Sequence, residues 1–142
     1  MMTSTSWLLL SVMLQAALTI FVGARLGAAR FRAGRAGQVK VVDIAVDNSR
    51  WPDEVRKLAN NYQNQFEAPV LLYALVPLLL VTGLADSISA TLAWLFVAFR
   101  IVHAVEHTGR NKVIVRFRFF LGSVICVSLM WIWFALRYFV IG

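Results

Sequence analysis

The chain has 142 residues and a formal net charge of +7, and 60% of its residues are hydrophobic while only 15% are charged. Its mean hydropathy is +0.72. Soluble domains are roughly 45–50% apolar and roughly 25% charged, so this composition excludes an ordinary soluble domain. The length fits one domain, and the single cysteine, Cys126, excludes an intramolecular disulfide. We predict an integral membrane protein.

The positive charges are concentrated in two stretches between apolar segments. Eight of the fourteen Lys and Arg residues lie between Arg25 and Lys57, and four more lie between Arg110 and Arg118. Basic loops of this kind stay on the cytoplasmic side of a membrane. Their expected partners are anionic lipid headgroups or an anionic small molecule. The apolar segments around them argue against nucleic-acid binding.

The first predicted span covers residues 7–24. Positive charge follows this segment and does not precede it, which argues against a signal peptide and predicts a retained anchor with its N-terminus outside. Residues 25–51 are predicted to form a basic cytoplasmic loop, within which residues 38–44 could form a short extended segment.

The second helix is predicted to begin near Pro52 and to run to about Ala85, with its membrane span at residues 66–85. Its first half carries polar residues at helical spacing. This stripe consists of Arg56, Asn60, Gln63, Asn64 and Glu67. The stripe either lies on the membrane surface or faces a bundle interior, and Glu67 beside the apolar run favours the interior.

The third and fourth spans are predicted at residues 88–108 and 116–141, joined by a tight basic hairpin. The turn before the third span bears Asp86 and no positive charge, which indicates the outer side. The predicted architecture is therefore an all-α bundle of four transmembrane helices, with both termini outside and both basic loops inside.

The third span carries an unusual polar face. Arg100, His103 and His107 are spaced three and four residues apart, so they share one side of the helix. A charged side chain near the bilayer centre costs about 2.5–3.5 kcal/mol on insertion scales, which suggests a function. The alternative is a pair of core histidines hydrogen-bonded to neighbouring helices. The spacing with Glu106 is not that of a zinc-binding His-Glu-x-x-His motif, so no metal is expected.

Arg116 is predicted to stand at the cytoplasmic start of the fourth helix, where the helix end already favours an anion. A thiol bound there would have its pKa of about 8.5 lowered by the guanidinium and the helix end. The alternative is that Arg116 and Arg118 are ordinary cytoplasmic anchors.

Two segments, residues 60–73 and residues 100–117, resemble the MAPEG family, the membrane-associated proteins in eicosanoid and glutathione metabolism, and are most similar to its bacterial branch. The resemblance implies a homotrimer of four-helix protomers that holds glutathione in clefts between subunits near the cytoplasmic side. It implies that Arg116 activates the thiol, that His103 helps to hold glutathione and that Arg25 is the arginine at the end of helix 1. It assigns the helix 2 stripe to the backbone of glutathione.

The chain differs from the prostaglandin-synthase-like members, which have polar residues where this chain has Phe117, Phe120 and His107. The leading hypothesis is a glutathione-dependent transferase or peroxidase in a bacterial inner membrane. It would act on lipophilic electrophiles that arrive from the bilayer, with Arg116 as the catalytic residue. Arg25, the helix 2 stripe, Arg100, His103 and His107 would bind the peptide. The alternative hypothesis is a non-enzymatic member of the same fold that binds a lipid or a protein partner.

Overall fold

The computed structural model describes residues 3–45 and 47–141 and consists of helices joined by short connections. In chain order the α-helices are α1 (Ser4–Arg35), α2 (Val41–Ile44), α3 (Asp53–Gln63), α4 (Ala68–Val81), α5 (Ser87–Thr108) and α6 (Val113–Leu136). Short 3-10 turns occupy Asn48–Arg50 and Asn64–Phe66, and a π-helical turn, Arg137–Ile141, follows α6. The described residues contain no strand.

Four helical segments are long and apolar enough to cross a membrane. They are Ser4–Arg35, Asp53–Val81, Ser87–Thr108 and Val113–Ile141. The prediction of an all-α bundle with four membrane-spanning helices is therefore confirmed.

Helix α1 extends well beyond the predicted span, and the prediction of a loop from residue 25 onward was wrong for residues 25–35. Alanine, leucine and arginine are strong helix formers, and they outweigh the cost of the glycines in this stretch. Buried residues of this extension, including Leu26 and Ala29, pack against Val55 and Leu58 of α3. Gly37, with φ of +66°, ends the helix in a left-handed cap.

The prediction of an extended segment at residues 38–44 was also wrong, because Val41–Ile44 forms a single helical turn.

The second predicted helix is divided into two. It begins after Pro52 as expected, but the chain leaves α-helical geometry at Asn64–Phe66, and Glu67 adopts φ −92° and ψ −97°. Pro69 favours the break, because it has no N–H to donate and is accommodated in the first turn of a new helix, α4. Helix α4 then contains Pro77 without interruption and ends at Val81, not at Ala85.

The main apolar core lies between the first half of α1 and helices α4, α5 and α6. Its fully buried side chains include Leu8, Leu72, Phe96 and Met130. Cys126 is buried in the same cluster. This packing holds the spans together and leaves the polar residues of α3 and α5 at one end of the bundle.

Three buried amides connect helices through this core. Gln15 Nε2 donates to Gln65 Oε1 at 3.1 Å, Gln65 Nε2 donates to the Asn61 carbonyl at 3.3 Å, and Asn61 Nδ2 donates to the Ala104 carbonyl at 3.4 Å. Gln15, Asn61 and Gln65 have no solvent exposure. The chain of amides therefore ties α1, the helix break and α5 together.

Gln65→Leu is expected to destabilise the protein by about 0.6–2 kcal/mol, since it leaves Gln15 Nε2 and Asn61 Oδ1 buried without the hydrogen bonds that Gln65 provides. The double variant Gln15→Leu/Gln65→Leu should recover part of that loss, because the unpaired amide of Gln15 is then removed. The free energy of unfolding in detergent is measured for the single and the double variant. Gln63→Leu, at an exposed amide of the same segment, is the control. A Gln65→Leu variant as stable as this control would contradict the role of the amide chain.

Asp86 lies in the connection between α4 and α5 and links the start of α5 to the end of α6. Its Oδ1 accepts from the Ser89 N–H at 2.8 Å, which caps α5, and its Oδ2 accepts from Trp133 Nε1 at 2.7 Å and Arg137 Nη1 at 2.8 Å. Burial alone would raise the pKa of the Asp86 carboxyl. The hydrogen bonds from Ser89 and Trp133 and the charge of Arg137 outweigh burial and hold this pKa below its ordinary value of 3.8.

Asp86→Asn keeps a capping oxygen but removes the charge, and we expect it to cost roughly 1–2 kcal/mol at neutral pH. Because folding lowers the pKa of Asp86, the stabilisation is present above the unfolded-state pKa and is lost as the pH falls through the lower folded-state value. The difference in melting temperature between wild type and Asp86→Asn should therefore be constant from pH 7 to about pH 5 and shrink below about pH 4.

Asp43→Asn removes the same charge at an exposed position and is the control for this pH series. A wild-type advantage that grew as the pH fell would contradict the assignment of a lowered pKa to Asp86.

Candidate functional site

The polar face of α5 lies in the interior of the bundle. Arg100 has no solvent exposure, and His103 and His107 are each 2% exposed. The rings of the two histidines lie 5.5 Å apart between centroids, in an edge-to-face arrangement. The guanidinium of Arg100 and the imidazoles of His103 and His107 are thus buried together on one face of α5.

The break between α3 and α4 supplies the acceptor for Arg100. Its Nη2 donates to the backbone carbonyl of Asn64, and the carboxylate of Glu67 attracts it electrostatically. The Asn64 side chain donates from Nδ2 to His107 Nδ1 at 3.4 Å. Arg100 Nε and Nη1 and His107 Nε2 are buried without a hydrogen-bond partner among the described residues. Within the described part of the chain, the interior behind Asn64 therefore contains unpaired donors, which carry a free-energy cost.

His103 is oriented by the backbone of α6. Its Nδ1 lies 3.1 Å from the Arg116 carbonyl, and since a carbonyl only accepts, the neutral ring carries its proton on Nδ1. Nε2 is then the acceptor nitrogen, and it has no partner among the described residues. The ring also packs against Phe120, with centroids 5.9 Å apart.

Arg116 lies in the first turn of α6 and not at its first residue. The helix begins at Val113, three residues earlier than predicted, and the Arg116 N–H already donates to the Lys112 carbonyl at 3.0 Å. Unpaired helix-end N–H groups therefore belong to the residues before Arg116, and what Arg116 contributes to the site is its side chain.

Asn111, in the hairpin between α5 and α6, holds the Arg116 side chain. Arg116 Nη1 donates to Asn111 Oδ1 at 2.9 Å. Asn111 has φ of +53°, in the left-handed region that asparagine tolerates better than most residues, and its N–H donates to the Glu106 carbonyl at 2.8 Å. The hairpin thus restricts the guanidinium to one side of α6.

These residues surround a cavity of about 200 Å³, which we call the arginine pocket. Polar side chains line one part of it and apolar side chains the other. The lining consists of Asn64, Glu67, His103, Val113, Arg116, Phe117 and Phe120. Arg100 and His107 lie behind this lining and contact it through Asn64. The pocket presents a cation, a carboxylate and an imidazole acceptor beside an apolar wall.

Four of the predicted site residues lie elsewhere in the chain. Arg56, Asn60 and Gln63 line a separate groove of about 560 Å³ between the end of α1 and α3, together with Arg30 and Trp51. We call it the α1–α3 groove.

Arg25 is also separate from the arginine pocket, because it lines a narrow cavity of about 40 Å³ between α1, α3 and α5. The expectation that Arg25 ends helix 1 was wrong, because α1 continues to Arg35. Within one chain, the arginine pocket therefore brings together or contacts six of the ten predicted site residues.

Sequence reasoning missed Asn61, Gln65 and Asn111. The i, i+4 spacing of Asn61 and Gln65 marks the buried face, whereas the predicted stripe was placed on the neighbouring, mostly exposed face. Asn111 follows Gly109 and Arg110 in a tight turn, which is a signal for a left-handed asparagine. Within the described ranges, no three His, Cys, Asp or Glu side chains come together as metal ligands would.

Comparison with known proteins identifies the family. The model of the MAPEG family matches residues 8–136, which is most of the chain and includes the arginine pocket. No curated protein and no solved structure gives a match. This match confirms the resemblance carried by residues 60–73 and 100–117. The chain belongs to the MAPEG family and is an integral, multi-pass membrane protein.

Proposed function

We propose that this protein is a membrane-embedded glutathione-dependent transferase or peroxidase that acts on lipophilic electrophiles. The observation that supports this function most strongly is the arginine pocket. Its guanidinium, from Arg116, is held by Asn111 beside a cavity large enough for part of a small peptide. Members of the family are generally associated with glutathione, and a fixed cation suits its thiolate.

Arg116 would act as the catalytic residue by stabilising the thiolate of glutathione. A guanidinium next to a thiol favours the charged form, and it is most effective where water is excluded. The glutathione S–H bond ionises, and the thiolate sulfur then bonds to the electrophilic carbon as the leaving group departs with its bonding electrons. His103 Nε2, an acceptor without a partner among the described residues, would receive a hydrogen bond from the thiol and could accept its proton.

The remaining residues of the pocket would orient the two substrates. Glu67, which is exposed at the rim, can pair with the ammonium group of glutathione, while Arg100 and His107 fix Asn64 from behind. Phe117 and Phe120 form the apolar wall. Phe117 is 58% exposed on the surface of a membrane-spanning helix, so a lipophilic electrophile could reach the sulfur from the bilayer.

The proposal includes a homotrimer in a bacterial inner membrane, with both termini outside and both basic stretches in the cytoplasm. The charge distribution supports this orientation. Arg25, Arg56, Asn60 and Gln63 lie outside the arginine pocket of their own chain. They would contact glutathione only if a neighbouring copy supplied them, as the family resemblance implies.

Arg116→Ala is expected to lower kcat/KM for conjugation of glutathione to an activated aryl halide by about 10²–10³, the loss typical of removing one fixed charge-stabilising group. Arg116→Lys should lose about tenfold, because lysine keeps the charge but not the planar fork. Arg118→Ala, at an exposed arginine of the same helix, is the matched control and should retain activity. Steady-state kinetics on purified protein in detergent provide the measurement.

Conjugation by Arg116→Lys at the wild-type rate would contradict the need for a planar guanidinium. The alternative of a non-enzymatic lipid or protein binder would be favoured if the protein showed no turnover and Arg116→Lys kept full lipid or partner binding, for which a point charge is sufficient. Absence of turnover with both aryl halides and hydroperoxides, together with no glutathione binding, would overturn the enzyme proposal.

A further inference from the structure

The α1–α3 groove has the charge pattern of an anion site. It contains two arginines, Arg30 and Arg56, with the amides of Asn60 and Gln63 beside them, and none of the described residues that line it is acidic. Arg56 contacts Asp53 at 3.2 Å, but the Asp53 side chain is 86% exposed, so this pair is screened by water and competes weakly for the guanidinium. The groove therefore has positive charge available for a ligand.

Arg30 carries an unused donor in this groove. Its guanidinium lies over the ring of Trp51, 5.4 Å from the centroid, which holds the side chain against the groove wall. Its Nε is buried and has no hydrogen-bond partner among the described residues. A buried donor without an acceptor is unfavourable, and an oxyanion bound in the groove would satisfy it.

The other end of the groove is apolar and adjoins the membrane span. Leu26 is buried there, and Tyr62 packs edge-to-face on Phe66 with centroids 5.1 Å apart. Phe66 is 58% exposed and lies two residues before α4, which is the apolar part of the membrane-spanning segment Asp53–Val81. Aromatic side chains at this level are typical of the membrane–water interface. A ligand that fills the whole groove must therefore combine an anionic group with an apolar chain.

We propose that the α1–α3 groove binds one anionic phospholipid, with the phosphate between Arg30 and Arg56 and the first part of an acyl chain along Leu26 and Phe66. Phosphate oxygens are matched by guanidinium groups, which can donate two parallel hydrogen bonds. The apolar end of the groove selects a lipid over a free phosphate. This site is separate from the arginine pocket of its own chain. A lipid bound in it would occupy Arg56, Asn60 and Gln63 in place of glutathione from a neighbouring copy, and the test below distinguishes the two ligands.

The test measures retention of added lipid by the purified full-length protein, using native mass spectrometry. Wild type should bind dioleoylphosphatidylglycerol with a Kd about tenfold lower than that for dioleoylphosphatidylcholine, whose headgroup carries a compensating positive charge. Arg30→Gln and Arg56→Gln should each weaken binding of the anionic lipid about tenfold. Arg30→Lys should restore part of the affinity, and melting temperatures verify that each variant is folded.

Arg35→Gln is the matched control, because Arg35 lies on the same helix and its guanidinium also stacks on an aromatic ring, Phe31, at 5.7 Å, but outside the groove. It should retain wild-type lipid binding. Equal losses in Arg35→Gln and Arg30→Gln would overturn the proposal in favour of diffuse charge attraction.

Inorganic phosphate is the second probe, and it should not displace the lipid at comparable concentrations. Displacement would assign the groove to a soluble phosphate and overturn the lipid proposal. If Arg30→Gln weakened glutathione binding but not lipid binding, that result would also overturn the lipid proposal, because the groove would then belong to the thiol site of a neighbouring copy.

Discussion

A guanidinium without solvent contact inside an apolar bundle needs an acceptor, and here a backbone carbonyl fulfils that need. Arg100 donates to the carbonyl of Asn64, in a segment where the chain has left α-helical geometry ahead of Pro69. The insertion cost of a central charge, about 2.5–3.5 kcal/mol, is thus offset in part by a helix break that Pro69 favours. The break also places the side chain of Asn64 against His107. In addition, it places Glu67 at the rim of the arginine pocket.

The same arrangement separates two kinds of polar site. The arginine pocket combines Arg116, Glu67 and His103 with an apolar wall. The α1–α3 groove combines Arg30 and Arg56 with amides and an apolar end. The pocket contains a carboxylate and an imidazole acceptor, which suit a zwitterionic peptide thiol. The groove has no acidic residue among its described lining, which suits a purely anionic headgroup.

The helical class, the number of spans and the grouping of Arg100, His103 and His107 could be predicted from the sequence, because apolar length and helical periodicity are local signals. The continuation of α1 to Arg35 was not predicted, because glycines interrupt its helix-forming residues and its packing partner, α3, is distant in sequence. The break at Asn64 was missed because Pro69 alone does not distinguish a kinked helix from an interrupted one. The pairing of Asp86 with Arg137, 51 residues apart, has no local signature.

We propose that Arg116, held by Asn111, stabilises the thiolate of bound glutathione. The most direct measurement is the ultraviolet thiolate absorbance of glutathione bound to the purified protein, followed as a function of pH. We predict that the pKa of the bound thiol lies at least one unit below that of free glutathione. The thiolate absorbance should disappear in Arg116→Ala. In Asn111→Gly, which permits the left-handed backbone but removes the side chain that holds the guanidinium, the signal should weaken. A bound thiol with the pKa of free glutathione, or a thiolate signal that persists in Arg116→Ala, would contradict the account.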